Sequence, residues 1–294
     1  TAGSYIQNSL AEIDGTSYGG ASGMVAYPNG LKLRISHVSG GDTYYWRGTA
    51  ALGWSSNTVT DLPVQYTASA STLTWHYPPA TYEAPTISTN NHVYTISIAG
   101  VDNAGNAETP AAITVTSDFN YPTITISTPM AGASAFYGAA RATGQLAGNS
   151  ADTPAGIVPP IKAQISNLSE TGSVKPKWDG SAWSVDSSTW MAVSNLSPWT
   201  FTPPAWTSNK RFRVEMWAKD YAGNQVPDST YVTEFIYDVN KPSTTIAAPG
   251  AAFLNAAAAA SFSGAANDWV ANASTEAMSG LLPGGVAVQV VDAS

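Results

Sequence analysis

The chain has 294 residues, of which 44% are hydrophobic and only 11% charged, and its formal net charge is −8. Twelve scattered Lys and Arg against twenty Asp and Glu argue against a nucleic-acid backbone or an anionic membrane as partner, because both need clustered basic side chains. The absence of cysteine removes disulfides, thiolate metal sites and thiol nucleophiles together, without excluding export.

No apolar run reaches the ~18 residues of a membrane helix, so no direct membrane insertion is expected, and no signal peptide is visible. The abrupt start and stop read as a mature product or a piece of something longer. With 25 Gly, 19 Pro, 14 Tyr and 10 Trp among Ser/Thr/Asn-rich connections, the composition is that of an all-β, loop-rich protein. The length suggests two domains and part of a third.

In chain order, Ser4-Tyr5-Ile6 opens the first unit and corresponds to Ala135-Phe136-Tyr137 and Ala252-Phe253-Leu254. A strand is predicted over 31–36, with Leu31, Leu33 and Ile35 inward and Lys32 and Arg34 outward. A hairpin follows whose turn is Arg47-Gly48, or Asp179-Gly180 in the second unit, between aromatic strands. Thr74-Trp-His-Tyr-Pro-Pro79 and Trp199-Thr-Phe-Thr-Pro-Pro204 read as short edge strands ended by prolines, which cannot donate to a ladder.

The stretch that organises the chain comes next: Tyr94-Thr-Ile-Ser-Ile-Ala-Gly-Val-Asp102-Asn-Ala-Gly-Asn106, repeated as Phe212-Arg-Val-Glu-Met-Trp-Ala-Lys-Asp220-Tyr-Ala-Gly-Asn224. Every second residue suits a core (Tyr94, Ile96, Ile98, Gly100; Phe212, Val214, Met216, Ala218), and the strand runs into an acidic turn. In that turn Asp102 or Asp220 accepts from amides, Gly105 or Gly223 permits positive φ, and Asn106 or Asn224 tolerates left-handed backbone. Final strands near 111–117 and 230–237 close each unit, about seven strands per ~120 residues.

Pro122-Thr-Ile-Thr-Ile-Ser-Thr-Pro129 recurs as Pro242-Ser-Thr-Thr-Ile-Ala-Ala-Pro249, and a third copy of the unit starts with it. The boundaries are 1–121, 122–241 and 242–294, the last a truncated domain. In that third copy the alanine run 256–260 is read as strand or loop, being too short to nucleate a helix.

These residues, with the linkers Ser117-Asp118-Phe-Asn-Tyr-Pro122 and Tyr237-Asp238-Val-Asn-Lys-Pro242 and the tryptophan hairpins, resemble tandem bacterial immunoglobulin-like domains of large secreted or surface proteins. The resemblance implies an all-β chain of immunoglobulin-like β-sandwiches in a rod-like array. It implies an extracellular or cell-surface stalk, filament, surface layer or adhesin that self-associates into a polymer or lattice or spaces other domains. A carbohydrate-binding or adhesive module with a glycan ligand is the second expectation.

In such a sandwich the turn between the last two strands lies where the chain enters. That placement would bring Asp220 and Asn224 near Asp118 and Asn120, and Asp238 and Asn240 near the missing part of the third unit. Calcium, which takes six to eight oxygens, suits such a junction; the alternative is that the carboxylates only cap their turns. No cofactor is required.

Catalysis is not expected. His37, His76 and His92 do not recur in the second unit, where Leu168 or a neighbour, Phe201 and Lys210 or a neighbour stand, and no hydrolase, zinc-protease or nucleotide motif is present. Most tryptophans are expected to brace strands. Trp217, on the outward face where the first unit has Ala99, is the candidate contact for a ligand or subunit. Lys32 and Lys162 point outward, against isopeptide stapling, and Asn167, Asn195 and Asn272 mark surface loops.

Overall fold

The computed structural model describes residues 4–7, 10–67, 72–130, 136–138, 144–185, 189–248, 262–268 and 285–290. Among them there is no helix, and hence none long and apolar enough to cross a membrane. The chain forms two compact units. The first comprises 1–122 with the segments 152–158 and 219–225; the second comprises 123–151, 159–218 and 226–294.

The first unit contains β1 (Ser4–Ile6), β2 (Ile13–Tyr18), β3 (Leu31–Ser39), β4 (Asp42–Trp46), β5 (Trp54–Ser55), β6 (Leu62–Pro63), β7 (Gln65–Tyr66), β8 (Thr72–Tyr77), β9 (Val93–Gly100) and β10 (Ala111–Ser117). One sheet runs β1-β10-β9-β3-β4-β5, with β6 also on β3, and the other β2-β8-β7. Alternation decides what each sheet buries. Leu31, Leu33 and Ile35 are at most 1% exposed and lie beside Gly100, Ile98 and Ile96 of β9. They share one core with Ile13, Leu73, Trp75 and Tyr77 of the second sheet, which makes the unit a β-sandwich. Each such aliphatic side chain contributes roughly 1.5–3 kcal/mol.

Trp46 closes this core. Its indole N–H donates to Tyr77 Oη and to the Glu83 carbonyl, both at 3.1 Å, so the polar atom of a large buried side chain is satisfied. Burial pushes the Tyr77 phenol up to about 12.

The second unit repeats the plan with β11 (Thr123–Thr128), β12 (Phe136–Tyr137), β13 (Leu146–Ala151), β14 (Ile157–Asn167), β15 (Lys177–Trp178), β16 (Trp183–Ser184), β17 (Met191–Ala192), β18 (Trp199–Phe201), β19 (Lys210–Asp220) and β20 (Tyr231–Tyr237). Its sheets run β12-β20-β19-β14-β15-β16 and β11-β13-β18. Phe212, Val214, Met216 and Ala218 are at most 1% exposed, and Trp206 packs on Phe212 and Phe235.

The opening strands match residue for residue. β1 is parallel to β10 and β12 to β20, Asp118 N donates to Ile6 O at 2.9 Å, and Asp238 N donates to Tyr137 O at 2.7 Å. The second sheets share a further device. Gly15 of β2 lies opposite Trp75, and Gly148 of β13 opposite Trp199. A methyl group at either glycine would collide with the indole, so only glycine admits the tryptophan there.

Several sequence expectations need correction. Among the described residues ten strands, β1–β10, lie before residue 122 and ten more, β11–β20, between 123 and 241, because the connections contribute two- and three-residue pieces. The 74–79 segment is no edge: β8 lies between β2 and β7, since Gln65-Tyr66 supplies a short outer strand. The pairing of Trp75 with Gly15 and of Trp199 with Gly148 makes Thr200, not Phe201, the counterpart of His76. Asn167 is no surface marker. It is 7% exposed, accepts from Ser169 N and donates to Glu170, which satisfies it inside.

Of the predicted third domain, β21 (Ser243–Ala248) and β22 (Ser263–Asn267) form an antiparallel pair in which Ile246 is 78% exposed. The alanine run 256–260 and Asn272 lie outside the described residues.

Candidate metal centre

β19 ends at Asp220, where the chain must reverse within four residues. Gly223 takes φ +101°, a conformation that side chains with a Cβ rarely adopt. Asp220 Oδ1 accepts from Gly223 N and Asn224 N, both at 2.7 Å, and Oδ2 accepts from Asn224 Nδ2 at 2.6 Å. Asn224 Nδ2 also donates to the Asp118 carbonyl at 2.8 Å. Asp220 and Asn224 are each 1% exposed.

Asp118, at the end of β10, is fully buried. Its Oδ1 accepts from Asn120 N at 3.1 Å and its Oδ2 from Ala155 N at 2.9 Å. The third acid, Asp152, follows β13 directly. Carboxylate oxygens of Asp118, Asp152 and Asp220 all lie within 4.8 Å of one another. Asp152 Oδ2 is buried and has no hydrogen-bond partner, and among the described residues no Lys, Arg or His forms an ion pair with any of the three. Burial first, and then the charges of Asp118 and Asp220, push the Asp152 carboxyl up to about 6. All three acids belong to the first unit.

An orphaned carboxylate oxygen beside two buried carboxylates fits a hard cation, which would neutralise the group and occupy the lone pairs that no donor reaches. Sequence reasoning missed Asp152. It stands in a loop where the first unit has Gly19, so the repeat gives no signal for it.

The other singled-out residues lie elsewhere. Asp102 forms the same turn, accepting from Ala104 N and Asn106 N through Oδ1 and from Asn106 Nδ2 and Ser22 Oγ through Oδ2, with Gly105 at φ +85°. Those bonds hold its carboxyl down at about 2. Asn120 is exposed and reaches Asp118 through its main-chain N–H. Asp238 and Asn240, in the second unit, repeat that bond at 2.9 Å. Trp217 is half-buried with Lys162 Nζ 4.8 Å from its ring centroid, a cation–π contact on the outer face. Among the described residues no Trp is fully exposed.

The histidines form two separate groups. His92 Nε2 and His37 Nδ1 share a hydrogen bond at 2.8 Å among Tyr44, Trp54 and Tyr94. His76 Nδ1 lies 2.9 Å from Glu12 and 3.0 Å from Asp14 on an exposed face. Among the described residues no hydroxyl is hydrogen-bonded to an imidazole, so neither group has the arrangement of a nucleophile with its base.

No family model and no curated protein matches this chain. Among solved structures, the fibronectin(III)-like modules of Clostridium thermocellum CbhA align at 10% identity over 81% of this chain and 91% of theirs, with a TM-score of 0.34. Drosophila OTK extracellular domains 3–5 align at 10% identity over 85% and 66%, with a TM-score of 0.21. The Bacteroides ovatus mixed-linkage glucan utilization locus protein SGBP-B, in complex with a mixed-linkage heptasaccharide, aligns at 16% identity over 83% and 44%, with a TM-score of 0.19. The assignment of this chain as an all-β protein of sandwich units rests on its own strand pairing.

Proposed function

We propose that the chain is a non-enzymatic structural segment of an extracellular protein, a repeat of the stalk, filament or surface-layer kind, whose first unit is fastened by calcium. The observation that carries the reading is the buried trio Asp118, Asp152 and Asp220 with its orphaned oxygen. Two units with one strand plan support the spacing role.

Calcium would supply a divalent charge and oxygen coordination at the three carboxylates. Asp118 holds the end of β10 through its main-chain bond to Ile6, and its carboxylate grips the 152–158 segment through Ala155 N. Asp220 closes the 219–225 turn, and Asn224 ties that turn back to Asp118. Asp152 contributes a carboxylate oxygen, Oδ2, that no protein donor reaches. Three segments distant in sequence are thereby fixed around one point.

Calorimetric unfolding in about 2 mM calcium and in chelator tests the reading. For a site in the weak extracellular range, with Kd ~0.1 mM, calcium adds about 2 kcal/mol. An upward shift of roughly 5 °C in the transition of the first unit is expected. Unchanged transitions would remove the calcium, and with it the proposed fastening.

A further inference from the structure

β2 and β8 pair antiparallel, with Ile13 opposite Tyr77, Asp14 opposite His76 and Gly15 opposite Trp75. Alternation sends Ile13, Trp75 and Tyr77 into the core, so Asp14 and His76 stand side by side on the outer face of the sheet. Gln65 of β7 lies opposite His76 on its other side, on that same face. Glu12, two residues before Asp14, completes the group. Its Oε1 is 2.9 Å from His76 Nδ1, and Asp14 Oδ1 is 3.0 Å from the same nitrogen. The three ligating atoms all lie within 4.8 Å of one another.

Two carboxylates thus converge on one imidazole nitrogen. That nitrogen carries at most one proton, which can serve one of them, as in the hydrogen bond between His76 and Asp14. The second carboxylate oxygen then faces Nδ1 with no proton to accept, and among the described residues no Lys or Arg pairs with either acid. A cation in place of the proton would be shared by all three groups. The fold itself does not require them: in the second unit Ala147 and Thr200 hold the positions of Asp14 and His76, paired in the same register next to Gly148 and Trp199.

The donor set selects the ion. Calcium takes oxygen ligands, whereas an imidazole nitrogen beside carboxylates suits the borderline first-row cations, zinc among them. Zinc bonds nitrogen and carboxylate oxygen at about 2.0–2.2 Å in tetrahedral geometry, which sets neighbouring ligand atoms roughly 3.3 Å apart. The separations of 2.9 and 3.0 Å need widen by only a few tenths of an ångström, and the side chains of Glu12, Asp14 and His76 are 61%, 57% and 40% exposed, free to make that adjustment. Three protein ligands leave the fourth position to water or to the amide oxygen of Gln65.

We propose that His76, Asp14 and Glu12 form a zinc site on the outer face of the first unit's β2-β8-β7 sheet. His76 Nδ1 supplies the nitrogen, and Asp14 and Glu12 supply one oxygen each, so the divalent ion neutralises both carboxylates. The ion ties β8 to β2 through Asp14 and to the residues leading into β2 through Glu12. It shares no residue with the trio Asp118, Asp152 and Asp220, and the nitrogen donor gives it a different metal preference.

The test titrates the full chain with zinc in about 2 mM calcium, followed by calorimetry and by NMR of the imidazole signals. One zinc per chain should bind with a Kd below about 0.1 mM, moving the signals of His76 and leaving those of His37 and His92 in place. The NMR readout is made on the wild type and does not depend on any variant folding. His76→Gln, Glu12→Gln and Asp14→Asn should each weaken binding at least about tenfold, and His37→Phe should bind zinc as the wild type does. No saturation by about 1 mM zinc, shifts at His37 or His92 in place of His76, or undiminished binding in any of the three ligand variants would each overturn the proposal.

Discussion

Asn224 donates one side-chain hydrogen to the main-chain carbonyl of Asp118, at 2.8 Å, and the other to Asp220 Oδ2, at 2.6 Å. Both acceptors are buried, so removing the amide strands two of them. Asn224→Ala should cost about 2–3 kcal/mol in urea unfolding. Asn106→Ala, which exposes its acceptor to water, should cost under about 1 kcal/mol. Equal losses would mean that the contact with Asp118 contributes nothing.

The acidic trio makes stability depend on pH in a definite direction. Asp152 in the fold titrates at about 6, above the ordinary carboxyl value of 3.8, so the folded state holds its proton more tightly. That contribution is complete below pH 3.8 and is lost as pH rises through about 6. In chelator, the first unit should therefore lose stability between pH 4 and 7 relative to Asp152→Asn, which lacks the titration. A constant difference between the two proteins across that range would contradict the placement of Asp152.

His37 works in the opposite sense. Burial first, and then His92, lower its affinity for a proton below that of a free imidazole, so its contribution is present above 6.5 and is lost as pH falls through the folded value. Acidification from pH 7 to 5 should destabilise the first unit in the wild type and less so in His37→Phe. NMR titration of the imidazole signals checks the order directly: His37 should protonate below pH 6.5.

Close packing against glycine gives a test of the sandwich itself. Gly148→Ala places a methyl group against the Trp199 ring and the Thr125 carbonyl, which should cost at least about 1–3 kcal/mol by overpacking. Gly144 does not have a positive φ, and a methyl group added there would meet nothing within 4 Å. It should accept Ala with a change within ~0.5 kcal/mol. Denaturant midpoints of the two variants separate the outcomes.

Much of the fold was legible because a strand buried on one face writes its interior at every second position. Tyr94, Ile96, Phe212, Val214 and Met216 are inside for that reason. The paired hairpins Trp46–Trp54 and Trp178–Trp183 were legible through their repetition. The outer strand β7 was not, because two residues after Pro63 carry no periodic signal, and so β8 read as an edge. Asn167 looked like a surface loop because its burial depends on Ser169 and Glu170 supplying its bonds.

The candidate centre was legible only in part. Asp118 and Asp220 stand in repeated stretches and could be placed by topology. Asp152 is a single acid in a connection whose counterpart is Gly19, and only the fold brings it to them.

Equilibrium dialysis of the intact chain and of Asp152→Asn against calcium at pH 7.5 tests the central claim most directly. The wild type should bind one more ion per chain than the variant at about 1 mM free calcium. Equal calcium content in the two proteins would contradict the assignment of Asp118, Asp152 and Asp220 as a cation site.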